Sequence, residues 1–198
     1  MSSRLALAAT VLALIATAAA SAPSRNPADL PAGTYALDKK HASVTAKVMH
    51  LGVSLYTMRF DTFDGSFTYD PAHPETAQVR ANVDATSLDA GAGYSRKFAD
   101  QFLDASKFPT VTFVSSQIVP APDGRTGTMS GDLTLRGVTR PVTFDVTFGG
   151  VGKSLIFGTV TGFSASAKIK RSDFGSNDLR NWVGDDVTIT IEAEFDRK

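Results

Sequence analysis

Residues Ala77 to Ala85 read AQVRANVDA, and the reading of this stretch decides the fold class. Ala77, Val79, Ala81, Val83 and Ala85 alternate with Gln78, Arg80, Asn82 and Asp84. That is the period of a strand with one face on an apolar interior and the other in water. The same alternation recurs at Ser43–His50, Gly65–Tyr69, Thr110–Ser115, Gly131–Leu135, Val142–Phe148, Thr159–Ile169 and Val187–Phe195. Turn signals separate these runs: Asp70-Pro71 with Pro74, Pro122-Asp123-Gly124, Arg136-Gly137, Gly149-Gly150 and Gly184. Such a series of about eight short strands predicts an all-β chain, an antiparallel barrel or sandwich, and argues against an α/β fold.

One segment breaks the alternation. Tyr94 to Lys107 (YSRKFADQFLDASK) sets Tyr94, Phe98 and Phe102 at four-residue steps with Arg96, Lys97 and Asp100 between them. This spacing predicts a short amphipathic helix near residues 94–104. In a barrel, a lone helix with three aromatics on one stripe either plugs a gap in the core or gates an open end.

The N-terminus reads differently from the rest. Met1-Ser-Ser-Arg4 is followed by an apolar run, Leu5 to Ala20, that ends in small residues. This is the pattern of a secretory signal peptide cleaved after Ala20. Residues 21–32 (SAPSRNPADLPA) hold three prolines and no apolar period, so a flexible, exposed leader is expected there, with the domain spanning 33–198. No later run approaches the roughly 18 apolar residues of a membrane span, which predicts an exported, soluble product.

The chain has no cysteine, which excludes both a disulfide framework and a lipid on an N-terminal cysteine. The expected product of about 175 residues must therefore hold together through its core, and is large enough to do so. Lys plus Arg and Asp plus Glu both count 20, and losing Arg4 with the leader leaves 19 against 20. Without a basic surplus, nucleic acid is not the expected partner.

Catalytic constellations find little support. His41, His50 and His73 are the three histidines. Residues 41 and 50 lie an odd number apart, so on a continuous strand they face opposite ways and share no metal. With no HxH or HExxH spacing, no metal site is predicted. No GxSxG elbow occurs, and Ser172 beside Asp173 lacks a histidine nearby in sequence to act as its base. Glu192 and Glu194 alternate with Ile191, Ala193 and Phe195 and so belong to a water-facing surface.

His50 shares the parity of Val44, Ala46 and Val48 and is expected to face inward, either as a hydrogen-bonded core histidine or as a polar contact to a ligand head group. Arg171, Ser172 and Asp173 follow a strand and precede Gly175, which suits a tight turn. Arg171 paired with Asp173 or another carboxylate would make a fixed corner with Phe174 inserted beside it, or else a head-group site.

Six stretches together carry a resemblance. They are Tyr35-Ala-Leu-Asp38 with His41-Ala-Ser43, Val48-Met-His50-Leu-Gly52, Phe108-Pro-Thr-Val-Thr-Phe113, Gly131 to Val142 (GDLTLRGVTRPV), Arg171-Ser-Asp-Phe-Gly175 and Val183-Gly-Asp-Asp-Val187. In this order they resemble the YceI-like polyisoprenoid-binding family over nearly all of the chain beyond the leader. Tyr35 stands where many members have tryptophan. The resemblance implies an extended lipocalin-like antiparallel barrel, periplasmic and often dimeric, whose tunnel holds a long-chain isoprenoid or similar amphiphile.

Thirteen phenylalanines supply such a tunnel. Phe144, Val146 and Phe148 share one parity, as do Phe163, Ala165, Ala167 and Ile169, and mixed large and small inward residues leave a lumen in a barrel of about eight strands. Strand parity places Val44, Val48, Phe67, Phe113, Phe144, Phe148 and Phe163 on its wall, Phe98 and Phe102 over it, and His50, Arg171 and Phe174 at its mouth. The expected function is binding of a polyisoprenoid or prenyl quinone for transport, storage or sequestration, with no required cofactor and with transient membrane contact. The rival is an enzyme acting on a prenyl quinone with His50 as acid or base.

Overall fold

A computed structural model describes residues 22–91, 93–154 and 158–198. The expected signal peptide falls on residues 1–20, outside the described residues. The strands are β1 (Gly33–His50), β2 (Ser54–Phe60), β3 (Phe63–Tyr69), β4 (Gln78–Asp84), β5 (Leu88–Asp89), β6 (Thr110–Pro120), β7 (Thr126–Leu135), β8 (Val138–Ser154), β9 (Gly158–Lys170) and β10 (Val183–Arg197). One α-helix, α1 (Ser95–Leu103), lies between β5 and β6. Eight strands close in the circuit β1-β3-β4-β6-β7-β8-β9-β10, with β10 returning to β1, and every pairing is antiparallel. The chain is thus a lipocalin-like barrel in which closure leaves these eight strands without an open edge.

The wall divides at β1. Its first residues, Gly33–Ala36, pair with β3, while Val44–His50 pair with β2. β2 in turn pairs only briefly with β5, through Arg59–Asp89 and Phe60–Leu88. At this end β6 has no strand beside it from that branch, and α1 fills the interval by packing Ala99 on Ala85 and Leu88, with Met58, Phe60 and Val111 around them. The helix stops at Asp104, whose left-handed conformation (φ 52°) lets its N–H reach the carbonyls of Ala99 and Asp100.

Local glycine chemistry explains where the turns fall. Arg136-Gly137 joins β7 to β8 as a two-residue hairpin with both residues at positive φ. Gly149-Gly150, expected as a turn, instead lies inside β8 as a break in register. A Cβ on Gly150 would come within 3.0 Å of the Ser24 carbonyl, so the pair lets β8 bend against the N-terminal segment. Gly184, also expected as a turn, sits within β10, where a Cβ would press on Met49.

Residues 22–32 are mostly exposed but are tied to the barrel and do not run free. Ser24 bridges Val151 through a reciprocal pair of 2.8 Å backbone hydrogen bonds, and Pro27–Asp29 makes one 3₁₀ turn. Leu30 is buried with Tyr35, Phe67, Phe148 and Val151, so this segment closes one end of the barrel. The hydroxyls of Tyr35 and Tyr69 donate to the carbonyls of Pro31 (2.6 Å) and Pro27 (3.1 Å). The prolines thus supply carbonyl acceptors from a segment that needs no strand ladder.

Candidate functional site: an apolar tunnel and its polar mouth

The barrel interior holds a cavity of about 890 Å³, toward the upper part of the 300–1,000 Å³ range of ligand sites. Its wall comes from inward positions of the strands: Val44, Val48, Phe67, Phe113, Phe144, Phe148 and Phe163 all line it, as do Ile189, Ile191 and Phe195 of β10. Small residues keep the space open, with Ala81, Ala165 and Ala193 among the lining.

At the end closed by residues 22–32, Tyr35 stacks on Phe67 at 4.7 Å, and Phe67 meets Phe163 and Phe195 edge-on at 5.5 and 5.0 Å. Edge-to-face contacts of this kind let aromatic rings pack rigidly. At the opposite end the cover is α1. Phe98 and Phe102 line the cavity; Tyr94 stacks on Phe98 at 5.3 Å, and Phe98 meets Phe102 at 5.4 Å and Tyr56 at 6.3 Å. The helix both completes the wall and covers the mouth, because one stripe of aromatics serves both surfaces.

His50 also lines the cavity, but at its mouth and exposed. The core-histidine reading is therefore corrected: β1 ends at His50, so inward parity there opens on the rim. Its ring lies 6.3 Å from that of Tyr56, whose hydroxyl donates to the Ala90 carbonyl.

Arg171 is 6% exposed and lines the cavity. The expected carboxylate clamp is not what holds it. Nε donates to the Gly184 carbonyl at 2.9 Å, one terminal nitrogen to that of Ser176 at 3.0 Å, and the other to that of Val183 at 3.0 Å. The corner's carboxylate is Asp185, which accepts from the Ser172 hydroxyl (2.8 Å) and backbone N–H (3.0 Å). Those bonds hold the Asp185 carboxyl below the usual carboxylate range, whereas burial pushes the Arg171 guanidinium down. Ser172 is thereby engaged by Asp185, and the corner is a carbonyl cage around a cation.

Phe174 does not line the cavity. Beyond Lys170 the chain leaves the strand for a 3₁₀ turn, Arg171–Phe174, which ends at Gly175 with φ 76°. Strand parity ceases to apply there, and Phe174 packs against Val142, Phe144 and Ile169 as core.

Ser176 is a cavity-lining residue that strand periodicity does not reveal, since it follows the turn. It is 3% exposed, and its hydroxyl has no hydrogen-bond partner among the described residues. Tyr56, Met58 and Phe60 of β2 also line the tunnel; their alternation in SLYTMRF is the signal that marks them. Around the mouth lies an apolar rim. Val53 is 83% exposed and Trp182 60%, with Met49, Leu51, Leu55 and Leu179 also exposed. Leu51 adopts φ 56° in the hairpin tip, and its N–H donates to the Trp182 carbonyl, joining the two loops. Among the described residues no group of three His, Cys, Asp or Glu side chains is placed to hold a metal ion.

A closed antiparallel barrel around an apolar, ligand-sized tunnel defines a lipocalin-like binding protein. The chain belongs to the YceI-like domain family, which it matches over residues 35–195. A UPF0312 protein of Vibrio cholerae serotype O1 is 40% identical over 148 residues, 73% of this chain and 78% of the relative. One from Pseudomonas putida strain W619 is 39% identical over 148 residues, 73% and 77% of the two chains. Among solved structures, Burkholderia cenocepacia BcnA superposes with a TM-score of 0.72 at 27% identity, covering 80% of this chain and 98% of its own. The Campylobacter jejuni YceI protein gives 0.66 at 30% identity, covering 77% and 91%. A polyisoprenoid-binding domain from Saccharophagus degradans, at 15% identity and a TM-score of 0.62 over 83% and 98% of the chains, shares the fold.

Proposed function

We propose that this protein is an exported carrier that holds one long-chain isoprenoid or similar amphiphile in its barrel for transport, storage or sequestration. The observation that carries the reading is the 890 Å³ apolar cavity, running from the segment-closed end to the helix-covered mouth. Each five-carbon prenyl unit moved into it gains about 4 kcal/mol, at about 0.8 kcal/mol per buried carbon. Immobilising a ligand costs about 4–15 kcal/mol, so a chain of several units is needed for a surplus. The fold is also that of a domain described as polyisoprenoid-binding. The leader pattern at Leu5–Ala20 supports export to the periplasm.

The rim supports transient contact with a lipid bilayer during loading. From Ser43 to Phe60 the hairpin carries Lys47, with Arg59 ion-paired to Asp61, and its apolar tip is bonded to Trp182. Apolar tip, basic flank and aromatic anchor together suit an anionic membrane surface. Val53→Asp should leave the thermal midpoint unchanged and abolish co-flotation with anionic phosphatidylglycerol vesicles; unchanged flotation would remove the membrane role.

The principal test is native mass spectrometry of the protein purified without detergent, followed by organic extraction. A stoichiometric prenyl or other long-chain amphiphile is expected. A protein that is reproducibly empty and refuses added prenyl lipids would refute the tunnel as a binding site. On an extracted ligand, loss of turnover with retained affinity in His50→Ala would instead favour an enzyme.

A further inference from the structure

Polar residues line the tunnel at several places, among them Asp64, Arg80 and Arg125, and two that are both nearly fully buried stand together on the mouth side. Arg171 and Ser176 both line the cavity, are 6% and 3% exposed, and touch through the 3.0 Å bond from the guanidinium to the Ser176 carbonyl. A guanidinium carries five N–H donors. Three are used on carbonyls, leaving one on each terminal nitrogen. Carbonyl dipoles satisfy hydrogen bonds but supply no countercharge, and Arg171 has no ion pair within 4.0 Å among the described residues. The nearby Asp185 is drawn instead to Ser172. The guanidinium also lies 5.8 Å from the Phe102 ring of α1, which screens it from water.

A buried cation on which carboxylates, those of Asp185 and Asp178, act only from beyond ion-pair contact, and a buried hydroxyl without a partner, are both costly when left so. Each is relieved by the same group, an oxyanion entering from the tunnel. Arg171 would pair its remaining N–H groups with the anion's oxygens, and Ser176 would donate its free O–H. We propose that Arg171 and Ser176 form a head-group site selecting a long-chain ligand with one acidic oxygen head, a carboxylate or a phosphate, over the neutral alcohol of the same chain. The inference rests on the tunnel-binding reading above and specifies its ligand class. The chain would run from this site toward the Tyr35–Phe67 end, while α1 covers the head group through Phe102.

The test compares geranylgeranoic acid with geranylgeraniol, which share one hydrocarbon chain, by isothermal titration on delipidated full-length mature protein at pH 7.5. The acid is expected to bind at least about tenfold more tightly, as hydrogen bonds to a charged partner contribute about 1.5–3 kcal/mol. Ser176→Ala should weaken the acid several-fold and the alcohol less, and should not lower the thermal midpoint, because the lost hydroxyl bonds nothing in the free protein. Arg171→Met should abolish the preference. Since Arg171 also ties three carbonyls together, Ser176→Ala decides the matter if that variant does not fold. Geranylgeranyl phosphate in place of the acid distinguishes the two head groups, and preference for either over the alcohol supports the site. Equal affinities for acid and alcohol, or an acid affinity untouched by Ser176→Ala, would overturn the head-group site while leaving the tunnel in place. Failure of both ligands to bind would overturn the tunnel reading itself.

Discussion

Replacing Ala165 by phenylalanine separates an open tunnel from a packed core by the sign of a stability change. Ala165 lies on β9 between Val146 of β8 and Ile191 of β10, and all three line the cavity. In an open tunnel the new ring enters existing space. Burying it there gains about 2 kcal/mol by apolar transfer, reduced by about 0.5 kcal/mol of lost side-chain freedom. A net gain of about 1.5 kcal/mol corresponds to roughly 3–6 °C in a domain of this size. In a filled interior the same ring overpacks and costs about 1–3 kcal/mol. Calorimetry on the delipidated protein should therefore show a higher midpoint for Ala165→Phe, and titration with geranylgeranoic acid should show at least about tenfold weaker binding, since the ring occupies ligand space. A lower midpoint with ligand affinity unchanged would refute the reasoning: the interior would then be full at Ala165, and ligands would bind elsewhere.

Gly131→Ala should destabilise the barrel by about 1–3 kcal/mol in chemical denaturation, because its Cβ would come within 2.4 Å of the Val114 carbonyl oxygen and 2.6 Å of the Phe113 ring; a neutral result would show that β6 and β7 separate freely. Asp185→Asn tests the corner through pH. The folded carboxyl titrates below its unfolded value, so its stabilisation is complete above the unfolded value, near pH 4, and fades as pH falls through the folded one. The variant should accordingly be less stable than the parent at pH 7 and converge with it in acid; a pH-independent difference would assign the loss to packing. In hydrogen exchange, the amides of α1 should exchange faster than those of β8 and β9 and slow when ligand is bound, whereas equal protection would show that the helix does not open separately.

What could be read from the sequence follows from where a period persists. Residues 78–83 alternate exposed and half-buried as AQVRANVDA requires, since β4 has a neighbour on each side and one face on the tunnel. The Tyr94, Phe98 and Phe102 stripe marks α1 for the same reason, that one face of the helix turns toward the barrel along its length. Period fails at the ends of elements. Phe174 sits one 3₁₀ turn past β9, where the direction of a side chain is set by the turn and not by parity. Ser176 lies beyond a left-handed glycine, and its place beside Arg171 depends on β10 returning with the carbonyls of Val183 and Gly184. Leu30 carries no pattern because a single large apolar side chain suffices to seat the segment that closes the far end.

The divided wall explains why the polar site and the helix occur together. Elsewhere around the barrel each strand is held by two ladders, and separating them breaks many backbone hydrogen bonds. Between β5 and β6 the wall is α1, held by side chains such as Ala99, Phe98 and Leu103. No backbone hydrogen bond between α1 and a strand occurs among the described residues. Opening there costs side-chain contacts and the hydrogen bonds of the Ser95 hydroxyl with Asp89 and Ala90, but no backbone ladder, so it is the least expensive route for a chain to enter. A head group entering last by that route stops beside Phe102, where Arg171 waits. The Arg171–Phe102 contact therefore couples occupancy to closure: an anion that neutralises the guanidinium also removes the penalty of sealing it under the helix. A neutral head group would leave that penalty in place, and the same helix would close less tightly over it.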